Sequence, residues 1–150
     1  MAGEVIELTF SANADAHSAG DVVAAPEELV NFAREDGRGV LVQSVVLIDE
    51  GDQGAALDLV FLSANGSLGS ESAAAGPTDT VAKTILGVVS IGTSDYSDMA
   101  NSQVATVNNV GLLLHPAADS TSVWVGLIAR GSIDLAATDD ITVKIGRVHA

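Results

Sequence analysis

The chain has 150 residues, 47% of them hydrophobic but only 3% aromatic, and its six Lys and Arg against twenty Asp and Glu leave a net charge of −14. That charge argues against nucleic acid as a ligand, because phosphates are repelled, while basic partners or a saline medium stay open. The absence of cysteine excludes disulfides and thiol chemistry, and a core of Val, Leu, Ile and Ala with few rings suits packed strands.

The start, MAGEVIELTF, lacks the basic segment and apolar stretch of a signal peptide, and no run approaches the roughly 20 apolar residues that a bilayer demands. A soluble protein made without an export signal is expected, and the length fits one domain over 1–150. In chain order, Ile6, Leu8 and Phe10 alternate with Glu7 and Thr9, the period of a half-buried strand. A short strand is predicted at 20–24. The next stretch, PEELVNFAREDG, is ambiguous: 28–34 reads as a strand, or as a short helix with Pro26 early, acids in its first turn and Gly37 at its stop.

Further strands are predicted in GVLVQSVVLI (39–48), ALDLVFLSA (56–64), ILGVVSIG (85–92), QVATVNNVGLLL (103–114) and SVWVGLIAR (122–130). The last one alternates Ile141, Val143 and Ile145 with Thr142 and Lys144. Between them SANGSLGSESAAAGPTDT is small, polar and without an apolar period, which predicts a long loop at 63–80. Val123, Val125 and Leu127 fall on one face of their strand and Trp124 and Ile128 on the other. A strand apolar on both faces lies in a sandwich interior or under a partner subunit. Eight or nine short strands and no long helix predict an all-β, jelly-roll-like β-sandwich.

The acidic knot in VLIDEGDQGAALDLVFL is the first candidate site, with Asp49, Glu50 and Asp52 between two apolar runs. A calcium loop counted from Asp49 needs oxygen ligands at alternate positions and an acid at the twelfth, but the third is Gly51, the fifth Gln53 and the twelfth Val60. A polar hairpin turn explains every residue there. Asp95 with Asp98, and Asp139 with Asp140, have no metal spacing either. His17, His115 and His149 lie far apart and read as loop or strand-end residues, Ser90 in GVVSIG is not in a nucleophile elbow, and Lys83 and Lys144, the only lysines, belong to no phosphate loop. Trp124 reads as a buried ring or as an exposed anchor for a partner. No catalytic, cofactor-binding or metal residue is assigned, no cofactor is called, and no enzyme activity is expected.

The runs LVQSVVLIDEGDQGAALDLVFLSANGSLG, ILGVVSIGTSDYSDM, NVGLLL and SVWVGLIARG together resemble a family of small virion structural proteins of tailed bacteriophages, the capsid decoration or cement proteins with jelly-roll cores. The likeness spans about residues 4–148 and lies in strands and turns, not in chemistry. It implies a strand at 28–34 entering the GRG turn at 37–39. It also implies a homotrimer on the outer capsid surface that clamps the major capsid protein, made in the host cytoplasm, with no nucleic acid or membrane as partner. Which residues touch the shell is not marked by the resemblance. Two other readings compete: a tail-associated jelly roll that binds receptors or glycans, which the scarcity of aromatics disfavours, and a cupin-like metalloenzyme, which the missing histidine motifs disfavour.

Overall fold

The computed structural model describes residues 2–11, 15–136 and 140–149. In chain order the strands are β1 (Ala2–Ser11), β2 (Ala16–His17), β3 (Val22–Leu29), β4 (Val40–Asp49), β5 (Leu57–Leu62), β6 (Ile85–Ile91), β7 (Tyr96–Asp98), β8 (Gln103–Leu114), β9 (Val123–Ala129), β10 (Ile133–Asp134) and β11 (Asp140–His149). A single helical turn, α1 (Asp79–Ala82), precedes β6, and a 3-10 turn, Thr93–Asp95, precedes β7. Two sheets face each other, a five-stranded one in the order β1-β11-β4-β8-β7 and a four-stranded one in the order β3-β9-β5-β6, with β2 and β10 as a separate small ribbon.

The eight longer strands are β1, β3, β4, β5, β6, β8, β9 and β11. Taken in that order, the first pairs with the last, the second with the seventh, the third with the sixth and the fourth with the fifth, all antiparallel. The chain is one long ribbon doubled back between β5 and β6. Successive strands of each arm belong to opposite sheets, so the ribbon wraps, and β11 then closes on β4 and β9 on β5. That is the strand order of a jelly roll, and the all-β sandwich read from the sequence is the fold observed.

Period-two alternation decides which side chains meet inside. Val40, Val42, Val45 and Leu47 of β4 and Ile141, Val143 and Ile145 of β11 point inward against Leu57, Leu59 and Phe61 of β5 and Val123, Val125 and Leu127 of β9, and all are buried. Pro26 falls inside β3, where it has no N–H to give to the ladder, and the β3–β9 register shifts between Ala24 and Glu27.

A second apolar layer lies on the outer face of the four-stranded sheet. Val22, Val60, Leu62 and Ile128 point away from the main core and are covered by Leu68, with Ala75, Val81, Ile85 and Trp124 packed around them. The segment after β5 is laid across the sheet by backbone bonds: Val22 N donates to Ala73 O and Ser72 N to Val22 O, each at 2.9 Å, and Ala75 N donates to Gly20 O at 2.9 Å. Gly126 of β9 lets this cover approach, because a Cβ there would lie 2.6 Å from Leu68 Cδ1. The two-faced apolar strands are therefore satisfied within one chain, and Trp124 is half-buried under the cover rather than a free anchor.

Three expectations need correction. Residues 28–34 are strand only through Leu29, where β3, running on from Val22, ends; Asn31 then takes a left-handed φ of 56° that turns the chain so that Phe32 and Ala33 enter the core. The carbonyls of Asn31 and Phe32 accept from Arg147 Nη1, at 2.9 and 2.6 Å, instead of from a neighbouring strand. The loop predicted over 63–80 stops short of its end, because Thr78 Oγ1 accepts from Val81 N and starts α1 at Asp79. The acidic stretch after β4 is not a hairpin turn, since β4 and β5 belong to opposite sheets and the chain crosses between them there.

Candidate functional site

Three of the four arginines and two of the three histidines gather at one end of the sandwich, where β1 and β4 begin and β8 and β11 finish. A cleft of about 700 Å³ opens there, lined by Arg34, Glu35, Arg38, Leu113, His115 and His149, with Gly37 and Gly39 in its wall. Gly39 is held close, since a Cβ would lie 3.0 Å from His115 Cε1. Beside the cleft Glu4 accepts from Arg147 Nη2 at 2.9 Å and Arg34 Nη2 at 3.3 Å, and its Oε2 lies 3.4 Å from His149 Nε2. The Arg147 guanidinium stacks 5.4 Å from the Phe32 ring centroid, while Arg38 Nε donates to Glu35 at 3.0 Å. Three arginines thus converge, but two glutamates answer them. The cluster mainly ties the first strand to the last and to the turn after β3.

The Glu4 carboxyl is held down to about 2, first by its hydrogen bond to Arg147, then by those to Arg34 and His149. Because the folded value lies below the ordinary one, this contribution to stability is complete above about pH 4.5 and is lost as pH falls through about 2. A carbon-13 titration of the Glu4 carboxyl is expected to show its midpoint near 2. Glu4→Gln should be less stable than the parent at neutral pH, with the difference closing as the pH falls below about 4; a constant difference down to pH 2 contradicts the pairing.

The acidic groups are structural in their geometry. Asp49 is 1% exposed, and its carboxylate accepts from Gly51 N at 2.8 Å and from Gln53 N and Gly54 N at 2.9 Å each. It gathers the N–H groups of the crossing turn, in which Asp52 and Gly54 take left-handed φ values of 55° and 59°. Asp52 in turn accepts from Gln103 at 2.8 Å, and Glu50 accepts from Asp140 N at 2.9 Å. Asp95 accepts from Gly92 N and Asp98 from Ala100 N, each at 2.8 Å. Asp139, the other half of the Asp139 and Asp140 pair, lies outside the described residues. Asp58 of β5 is held by Arg130 and by Ser90 Oγ, which is where Ser90 is used. Tyr96 donates its hydroxyl to Ala55 O at 2.8 Å, and burial, with Asp49 and Asp95 adding, pushes its ionisation up.

The histidines are brought only partly together. His115 and His149 share the cleft, His115 Nδ1 lying 3.3 Å from Gly37 O, while His17 is buried in β2. Among the described residues no group of three or more His, Cys, Asp or Glu is placed to hold a metal ion. Sequence reasoning missed the Glu4, Arg34, Arg147 and His149 cluster, which joins three distant segments and has no local spacing. It also missed the nearly uncharged outer face of the five-stranded sheet, whose signal was present in β8: QVATVNNVGLLL carries no charge.

No protein-family model matches this chain, and none of the curated proteins matches it. Among solved structures the chain is similar to the capsid of Ralstonia phage GP4, at 19% identity with 99% of this chain and 85% of that one covered and a TM-score of 0.48. It is also similar to tomato aspermy virus, at 9% identity, 99% and 78% coverage and a TM-score of 0.40. A third likeness is to the VP2 subviral particle of infectious bursal disease virus, at 10% identity, 98% and 33% coverage and a TM-score of 0.38. At such superposition scores these likenesses carry no argument about function. The jelly-roll assignment rests on the chain's own strand order.

Proposed function

We propose that the chain is a single-domain, non-enzymatic virion structural protein that decorates the outside of a tailed-phage head as a homotrimer and cements its major capsid protein. The observation that carries this reading is the complete jelly-roll order in a chain whose strand and turn runs resemble phage decoration proteins. The charge of −14 adds to it, because such a protein is repelled by packaged DNA and suits the outer surface. The strands buried on both faces add nothing, since residues 63–84 cover them within the chain. The mechanism is mass action: a protein that binds only the assembled shell stabilises that shell, and symmetry multiplies modest contacts. No cofactor, nucleic acid or membrane takes part.

The test uses expanded and unassembled capsid protein. Light scattering is expected to give three times the chain mass of 15.1 kDa, binding is expected to expanded shells and not to free subunits, and shells lacking the protein are expected to release their genome under milder heat or osmotic shock. Decorated and undecorated shells that burst under identical conditions, with the protein copurifying with tails, would move it to the tail and end the cement reading.

A further inference from the structure

The chain treats the two outer faces of its sandwich differently. That of the four-stranded sheet lies largely under residues 63–84, with Val60, Leu62, Leu68 and Ile128 buried between and only Val88 of the edge strand β6 left 47% exposed among its large apolar side chains. That of the five-stranded sheet has no such cover among the described residues: Val5 is 71% exposed and Leu113 57%. On the same face, further along the strands from Leu113, alternation turns Val46 and Ile48 of β4, Thr106 of β8 and Thr142 of β11 outward, while Val45, Leu47, Ala105, Ile141 and Val143 beside them are buried.

This face is also nearly empty of charge in a protein of −14. No residue of β8 is charged, and the one charge in β4, Asp49, is buried. Outward charges in the middle of the face come down to Glu7 of β1 and Lys144 of β11, which are register partners and cancel. An acidic protein that meets a basic partner keeps its acids at the contact. One that meets a like-charged partner needs a neutral patch, because like charges across a contact cost several kcal/mol.

The shape of the face suits an identical partner. The register of β11 on β4 shifts between Gly146 and Arg147, and a groove of about 330 Å³ opens there, lined by Val5, Gln43, Gly146 and Val148 and, at its edge, by Glu4 and Arg147, whose opposite charges pair with each other. Gly146 keeps its floor bare, because a Cβ would lie 2.3 Å from Ser44 Oγ. On the opposite side of the same face Leu113 stands out from β8. One face thus holds both a knob and a hole, so that the knob of one copy can meet the hole of the next. Four strands about 4.8 Å apart and roughly 30 Å long give on the order of 600 Å² per copy, close to the roughly 800 Å² of ordinary stable interfaces.

We propose that the outer face of the five-stranded sheet is the contact between copies of this chain, with Leu113 of one copy seated in the Val5, Gly146 and Val148 groove of another. The number of copies rests on the trimer reading; the face does not. Two exposed positions test it without touching the core, Leu113→Lys and Thr106→Glu, with Ser70→Glu on the covered side as control.

Light scattering across a dilution series is expected to show the parent and Ser70→Glu as assemblies. Leu113→Lys and Thr106→Glu should associate about a hundredfold more weakly, falling to the 15.1 kDa single chain with unchanged circular dichroism. Variants that keep the parent mass, or a parent that stays a single chain at every concentration, overturn the proposal. Variants that keep the parent mass but no longer bind expanded capsids give the face to the shell protein, which overturns this contact and leaves the decoration reading standing. If the parent assembles through this face and binds no capsid, the contact stands and the decoration reading fails.

Discussion

Replacing Asp49 with alanine is expected to lower the unfolding free energy by about 3 kcal/mol, seen as a lower urea midpoint with an unchanged slope. Its carboxylate accepts three backbone N–H groups at 2.8 to 2.9 Å while only 1% exposed. Hydrogen bonds to a charged group contribute about 1.5–3 kcal/mol each, and a donor left unmet inside costs about 1–3 kcal/mol. The sum is discounted because Gln53 is exposed and Gly51 and Gly54 are half-exposed, so water can reach the N–H groups once the carboxylate is gone. Asp49→Asn keeps the shape and one acceptor oxygen but turns an NH2 towards donors, so a loss of about half that size is expected. A loss under about 1 kcal/mol for alanine would show that the crossing turn holds itself without Asp49. A ligand role for the same side chain makes a different forecast: chelator at constant ionic strength would lower the parent's melting midpoint by several degrees, and we expect no change.

The turn also shows where the sequence was legible and where it was not. Asp, Gly and Gln in DEGDQG announce a turn, and the failed ligand count from Asp49 to Val60 announces that it is not a calcium loop. Nothing local says whether the next strand pairs with the last one or crosses to the other sheet, because that choice is made by the pairing of β4 with β8 and β11 far along the chain. The same division holds elsewhere. Ile6, Leu8 and Phe10, or Ile141, Val143 and Ile145, alternate because one face is dry and the other wet, and period two reveals them. Val60, Leu62 and Ile128 break the alternation because a cover lies outside them, and the pattern says that a cover exists without saying whose it is. Residues 28–34 could not be settled locally: strand and helix both fit, and the observed turn depends on Arg147, which takes the carbonyls of Asn31 and Phe32. The cleft was least legible, since Glu4, Arg34, His115 and His149 meet only after the ribbon has rolled.

The cover itself is the place for the other large effect. Leu68→Ala is expected to cost about 3 kcal/mol, the middle of the usual range for a buried leucine truncated where the surroundings relax only partly. Leu68 is 1% exposed, and it is the cover's fully buried apolar side chain against Val22, Val60, Leu62 and Ile128. The neighbouring groups from the cover, Ala75 and Val81, are only partly buried, so they cannot hold the segment down as well. Trp124 sits under the same cover and reports on it: its emission is expected to shift to the red in the folded variant, and amide exchange at 66–78 to quicken before that of β4 and β8. Gly126→Ala attacks the contact from below, because the new Cβ would meet Leu68 Cδ1 at 2.6 Å. Once Leu68 is alanine that clash is gone, so the two changes are expected to cost much less together than the sum of their separate costs. Simple additivity, with Trp124 emission unmoved in Leu68→Ala, would mean that the cover is held by the backbone bonds of Val22 with Ser72 and Ala73.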